Sequence, residues 1–158
     1  MKTIKIIKKI LAKRKESSSA NAGFIGGCVA GIITAIFSLI VLILNKELFF
    51  QELALAMNKY GFTIPIPNET IWILSLVVTP PVIILIYSIV GIFMGLFFKR
   101  FEKGNYIIIL LLSAAVGAVW GLITNLPANR LSIIIVNISA WLTFGIIFLV
   151  FRKKVELK

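Results

Sequence analysis

The sequence predicts an all-α integral membrane protein. Four transmembrane helices form two antiparallel hairpins, with a cationic surface helix at the N-terminus and an amphipathic helix on the outer side. Three observations lead there. Of the 158 residues, 59% are hydrophobic and only 15% charged, where soluble domains carry about 25% charged residues. Four apolar stretches reach the roughly 20 residues needed to cross a bilayer, and none contains Asp, Glu, Lys or Arg. The 17 Lys and Arg, which against 6 Asp and Glu give a net charge of +11, lie between those stretches.

Residues 1–16 place Ile4, Ile7, Ile10 and Leu11 on one helical face, and Lys5, Lys8, Lys9, Lys13 and Lys15 mostly on the other; Arg14 adds to the basic residues expected at the membrane surface. This is the pattern of a helix lying on an anionic membrane surface, where each basic residue contributes about 1 kcal/mol. A solvated basic tail that only sets orientation is the alternative. Span 1 covers 17–44, with Ser17 as its expected N-cap. Residues 71–98 form span 2, also 28 residues long. At 1.5 Å per residue both exceed a 30 Å hydrocarbon core, so the first hairpin tilts or projects beyond the headgroups.

Between them, the outer loop 45–70 carries Phe49, Leu53, Met57 and Tyr60 at helical spacing over about 46–60, with Gly61 as the stop signal. Pro80 and Pro81 remove two N–H donors from span 2 and mark a kink or hinge about ten residues in. A basic turn, 99–105, leads to span 3 at 106–125. The outer turn 126–130 contains Pro127, which prevents helix continuation. Span 4 covers 131–151, and Arg152, Lys153 and Lys154 are expected to stop it ahead of the tail 152–158.

With both termini on one side, that side holds fourteen Lys and Arg and the other only Lys46, Lys59 and Arg130. The positive-inside rule then makes both termini cytoplasmic, in a multi-pass protein of the cell membrane whose basic side meets an anionic leaflet. That partner accounts for the charge. No basic patch is interleaved with aromatics on a polar module, so a nucleic-acid partner is not expected.

Histidine is absent and Cys28 is the only cysteine. The commonest general base, the Ser-His and Cys-His dyads and the commonest zinc ligands are therefore missing. No catalytic residue, metal ligand or cofactor is expected. The absence of ionisable residues inside the spans also disfavours proton relays and coupled transport of charged solutes.

The chemistry that remains is packing chemistry. GxxxG spacing occurs at Gly27 and Gly31, at Gly91 and Gly95, and at Gly117 and Gly121, extended backwards by Ser113. Small residues four apart let helix backbones approach closely, within one bundle or between copies. Residues 27–34 (GCVAGIIT) and 117–124 (GAVWGLIT) agree at five positions, the pattern of two tandem hairpins. The polar residues Thr79, Thr124, Asn125 and Asn137 fall in the outer half of the spans, where they serve as packing glue or line a polar vestibule. Trp120 and Trp141 lie too deep for an interfacial belt and are expected in the core. The function that follows is non-enzymatic: a structural or accessory subunit, as a homo-oligomer or within a larger membrane complex. An oligomeric channel or facilitator for a small neutral or lipidic solute is the competing reading.

Overall fold

The structure is a computed structural model. It describes the backbone of residues 2–61, 65–101, 106–124 and 130–156, and side chains over 18–61, 65–101, 106–124 and 130–151. Helix α1 (Lys2–Leu44) is followed by α2 (Lys46–Tyr60) and α3 (Asn68–Phe98). A short 3-10 turn (Lys99–Phe101) then leads to α4 (Tyr106–Ile123) and α5 (Arg130–Glu156), and no strand occurs among the described residues. Four helical stretches, Ser18–Leu44, Asn68–Phe101, Tyr106–Ile123 and Arg130–Phe151, are long and apolar enough to cross a membrane. The protein is a multi-pass membrane protein of four spans.

The helix ends depart from the sequence expectation in instructive ways. The basic N-terminal segment is helical but joins span 1 without a break, giving one helix of 43 residues in place of a new start capped by Ser17. No Gly or Pro lies in the polar patch 17–21, so nothing there ends a helix that is already running. At the other end α5 continues through Arg152, Lys153 and Lys154 to Glu156. Lys and Arg are good helix formers, and what they stop is entry into lipid, not the hydrogen-bonded helix. α3 starts at Asn68, earlier than expected, because the N–H groups of Thr70 and Ile71 already bond to Pro67 O. It then runs through Pro80 and Pro81 to Phe98. Gly61 does terminate α2: its φ of 65° is left-handed, and its N–H returns to Met57 O.

Two glycine seams hold the bundle. A Cβ added at Gly31 would stand 2.9 Å from Ile84 Cα, and one at Gly91 2.8 Å from Gly27 Cα, so α1 and α3 touch backbone to backbone. Gly23 and Gly95 extend this seam, where a Cβ on Gly95 would come 2.9 Å from Gly23 Cα. In the second hairpin, a Cβ at Gly117 would lie 2.7 Å from Ile138 Cα, and one at Gly121 2.8 Å from Ile134 Cα. Lipid offers no hydrophobic drive for helices to associate, so this close fit supplies the dispersion that does.

The two seams are the same seam. Moving ninety positions along carries Gly27 and Gly31 onto Gly117 and Gly121, while moving fifty carries their partners Ile84, Tyr87 and Ser88 onto Ile134, Asn137 and Ile138. The shifts hold further down, where Gly23 against Gly95 becomes Ser113 against Gly145. Thr34 and Thr124, also equivalent, each donate to the carbonyl four residues back, Ala30 O and Trp120 O. The hairpins are thus structural repeats, and two pairs of equivalent residues meet each other: Tyr87 with Asn137, and Phe98 with Phe148. That is the signature of a pseudo-two-fold axis between them.

The symmetry fails at one flank, for a steric reason. α1 turns Ala22, Gly26 and Ala30 into the core, with Gly26 against Phe144, and α1 and α5 pack closely there. The equivalent positions on α4 are Leu112, Val116 and Trp120, all half-buried against the same core. These larger side chains hold α4 away from α3.

Candidate functional site

All four spans converge on Tyr87, which is 2% exposed. Its hydroxyl donates to Asn137 Oδ1 on α5 at 2.5 Å. Thr34 on α1 and Trp141 on α5 are its other polar neighbours. The ring stacks on Trp141 with centroids 5.5 Å apart, and meets the edge of Trp120 on α4 at 5.8 Å. Below this level Phe98, Phe144 and Phe148 fill the centre, each fully buried. Asn137 spends one amide hydrogen on Ile133 O, at 2.9 Å. A buried amide in hydrocarbon costs several kcal/mol if unpaired. The Tyr87 hydroxyl and the Ile133 carbonyl together leave neither end of the amide without a partner.

The glycines and Ser113 singled out by spacing all lie in the two seams described above. Ser113 is fully buried, with its Oγ against Gly145. The polar residues assigned to a vestibule are spread more widely. Asn137 sits in the closed centre; Thr124 closes the last turn of α4 through Trp120 O; Thr79 is half-buried on α3 beside the prolines. Asn125 lies outside the described residues, as do the side chains of Lys5, Lys8, Lys9, Lys13, Arg14 and Lys15. At Pro80 and Pro81 the helix has no donor for the carbonyls of Leu76 and Val77, which leaves the N-terminal third of α3 with weaker internal support.

Tyr87 is the residue that reading by spacing passes over. Its partner is fifty positions away, and a single tyrosine has no period. Its depth is the usable signal, since membrane tyrosines favour the interface.

A second polar group clasps the α2 end of the bundle. Lys46 Nζ lies 3.3 Å from Glu69 Oε1 and 4.7 Å from the centre of the Trp72 ring, while Trp72 Nε1 donates to Leu42 O at 3.2 Å. One basic side chain therefore ties the start of α2 to the start of α3. The rest of α2 contains no buried residue.

Chemically, these arrangements position helices. Among the described residues no group of three His, Cys, Asp or Glu is placed to hold a metal. Cys28 Sγ lies 3.0 Å from Ser88 Oγ in the first seam, a hydrogen-bonded packing contact. No family model matches the chain. Neither a curated protein nor a solved structure gives a significant match.

Proposed function

We propose that this is a non-enzymatic multi-pass protein of the cell membrane, with both termini cytoplasmic, that acts through helix packing as a structural or accessory subunit. The observation that carries the proposal is the filled centre. Tyr87, Trp141, Phe144, Phe148 and Phe98 occupy the axis along which a conduit through one bundle would run. The polar pair there satisfies itself, with Asn137 bonded to Tyr87 and Ile133.

The glycine faces are engaged within the monomer, so they are not open to a second copy. Assembly with other proteins then uses the outward surfaces of α3 and α4. These carry Ile73, Val77, Leu85 and Phe93 on one helix, and Ile107, Leu111, Val119 and Leu122 on the other, all exposed. A larger membrane complex fits this distribution better than a homo-oligomer built on GxxxG contacts.

The test is a native pull-down in mild detergent combined with solute flux in liposomes. A stoichiometric membrane partner and no flux are expected. Flux of a neutral solute that Asn137→Leu abolishes in folded protein would replace this reading with that of a facilitator.

A further inference from the structure

The two hairpins end at different heights. Where the bundle carries the termini they match: under the repeat shift Tyr106 falls two residues before Ser18, and Phe151 falls on Phe101. At the α2 end they do not. Ile123 falls on Ile33, eleven residues short of Leu44, and Arg130 falls on Pro80, twelve residues after Asn68. Both helices of the first hairpin therefore rise past the second by about 17 Å, at about 1.5 Å per residue.

Rigid tilt does not level such a step. Neighbouring helices lie about 8–10 Å apart, so levelling would need roughly 60°, whereas membrane helices tilt by about 0–40°. Nor does the surface of the projection suit water. Residues 34–45 and 70–80 contain no charge, and Ile36, Ile40, Ile43, Leu74, Val77 and Val78 are all exposed. The marks of a headgroup boundary come only at its far end, where Lys46 pairs with Glu69 and lies over the ring of Trp72.

α2 extends that boundary sideways. The helix breaks at Asn45, and α2 then carries Phe49, Leu53, Ala56 and Met57 on one stripe, with Gln51 and Asn58 exposed on the opposite side. No residue of α2 is buried, so the stripe is not enclosed by the rest of the bundle. Lys46 and Lys59 balance Glu47 and Glu52, so seating the stripe on a leaflet requires no anionic lipid.

We infer that phospholipid covers the projection: the leaflet rises along residues 34–45 and 70–80 to α2, whose apolar stripe lies on it. The hydrocarbon is then thicker beside the first hairpin than beside the second, a stepped boundary built into the repeat. The inference rests on span lengths and side-chain exposure, and on neither the subunit role nor the direction of insertion.

The test uses the full-length chain carrying Cys28→Ser, reconstituted in phosphatidylcholine liposomes and spin-labelled at single cysteines, with helicity matched to the native chain by circular dichroism. Collisions with oxygen, which concentrates in lipid, are compared with those of a neutral nickel chelate, which stays in water. Position 89, exposed midway along the part of the spans that both hairpins share, is the lipid reference, and positions 51 and 58 are the water references. Positions 40 and 77, on the two helices of the projection, should exceed the oxygen-to-nickel ratio of the water references by about fivefold or more, as position 89 does. Position 53, on the stripe, should exceed them by about threefold. A ratio at 40 and 77 no higher than at 51 and 58 would overturn the inference, because the projection would then stand in water. So would exclusion of both reagents from 40 and 77, the result expected if a second copy of the chain covers them, or a ratio at 53 equal to that at 51 and 58.

Discussion

Replacing Tyr87 by Phe keeps every ring contact and removes one donor, which isolates the polar contribution at the centre. Hydrogen bonds between membrane helices are worth about 0.5–1.5 kcal/mol, and loss of that order is expected for Tyr87→Phe in reversible unfolding from mixed micelles. Asn137→Leu should cost a similar amount, and the double variant little more than either, because both remove the same bond. Additive losses would show that the two side chains do not act as a pair. Glycines divide by location. Gly61→Ala meets open space yet forces a side chain into left-handed backbone, an expected cost of about 1 kcal/mol seen as fraying of α2 in amide exchange. Gly27→Leu drives a side chain into Tyr87 and Ser88 backbone, and no rotamer avoids it. Packing positions were legible in the sequence where spacing encodes them, as for the seam glycines. They were hidden where a single long-range contact encodes them, as for Tyr87, and where a small residue outside a GxxxG pattern completes a seam, as for Gly145; Gly23, four residues before Gly27, continues the legible spacing by one turn.

Among the elements, the spans were readable because lipid imposes length and polarity on every residue within it. Their ends were not. Helix α1 passes through the serine patch and α5 through three basic residues, since hydrogen bonding along a helix is indifferent to where the membrane stops. The equivalence of the hairpins gives a sharper expectation than either seam alone. Gly27→Leu and Gly117→Leu occupy matched positions, and each should lower stability by about 1–3 kcal/mol or more through overpacking. Thermal unfolding in detergent checks this, and a marked difference between the two would mean that the hairpins are not energetic equivalents. The clasp at Lys46 is a different kind of contact. Its carboxylate partner Glu69 is largely exposed, so Glu69→Gln should hardly change global stability. The expected effect is local: loss of the ion pair frees the start of α2, read as faster motion of a spin label at position 49.

For the molecule as a whole, bulk and small size are distributed so that one flank closes and its pseudo-symmetric counterpart stays ajar. Ala22, Gly26 and Ala30 admit α5, whereas Leu112, Val116 and Trp120 keep α3 at a distance. The five-residue match between 27–34 and 117–124 hinted at the repeat. The pairing of each stretch with its own partner helix, which a linear sequence does not display, makes it evident. The proposed topology has four spans that return both ends of the chain to the basic side, which the positive-inside rule makes cytoplasmic. Membrane-impermeant maleimide labelling of intact cells tests this most directly, with Cys28→Ser as background and single cysteines at positions 59 and 158. Labelling at 59 in intact cells, and at 158 only after permeabilisation, is the expected result. Labelling of position 158 from outside, or protection of both positions until the membrane is opened, would contradict it.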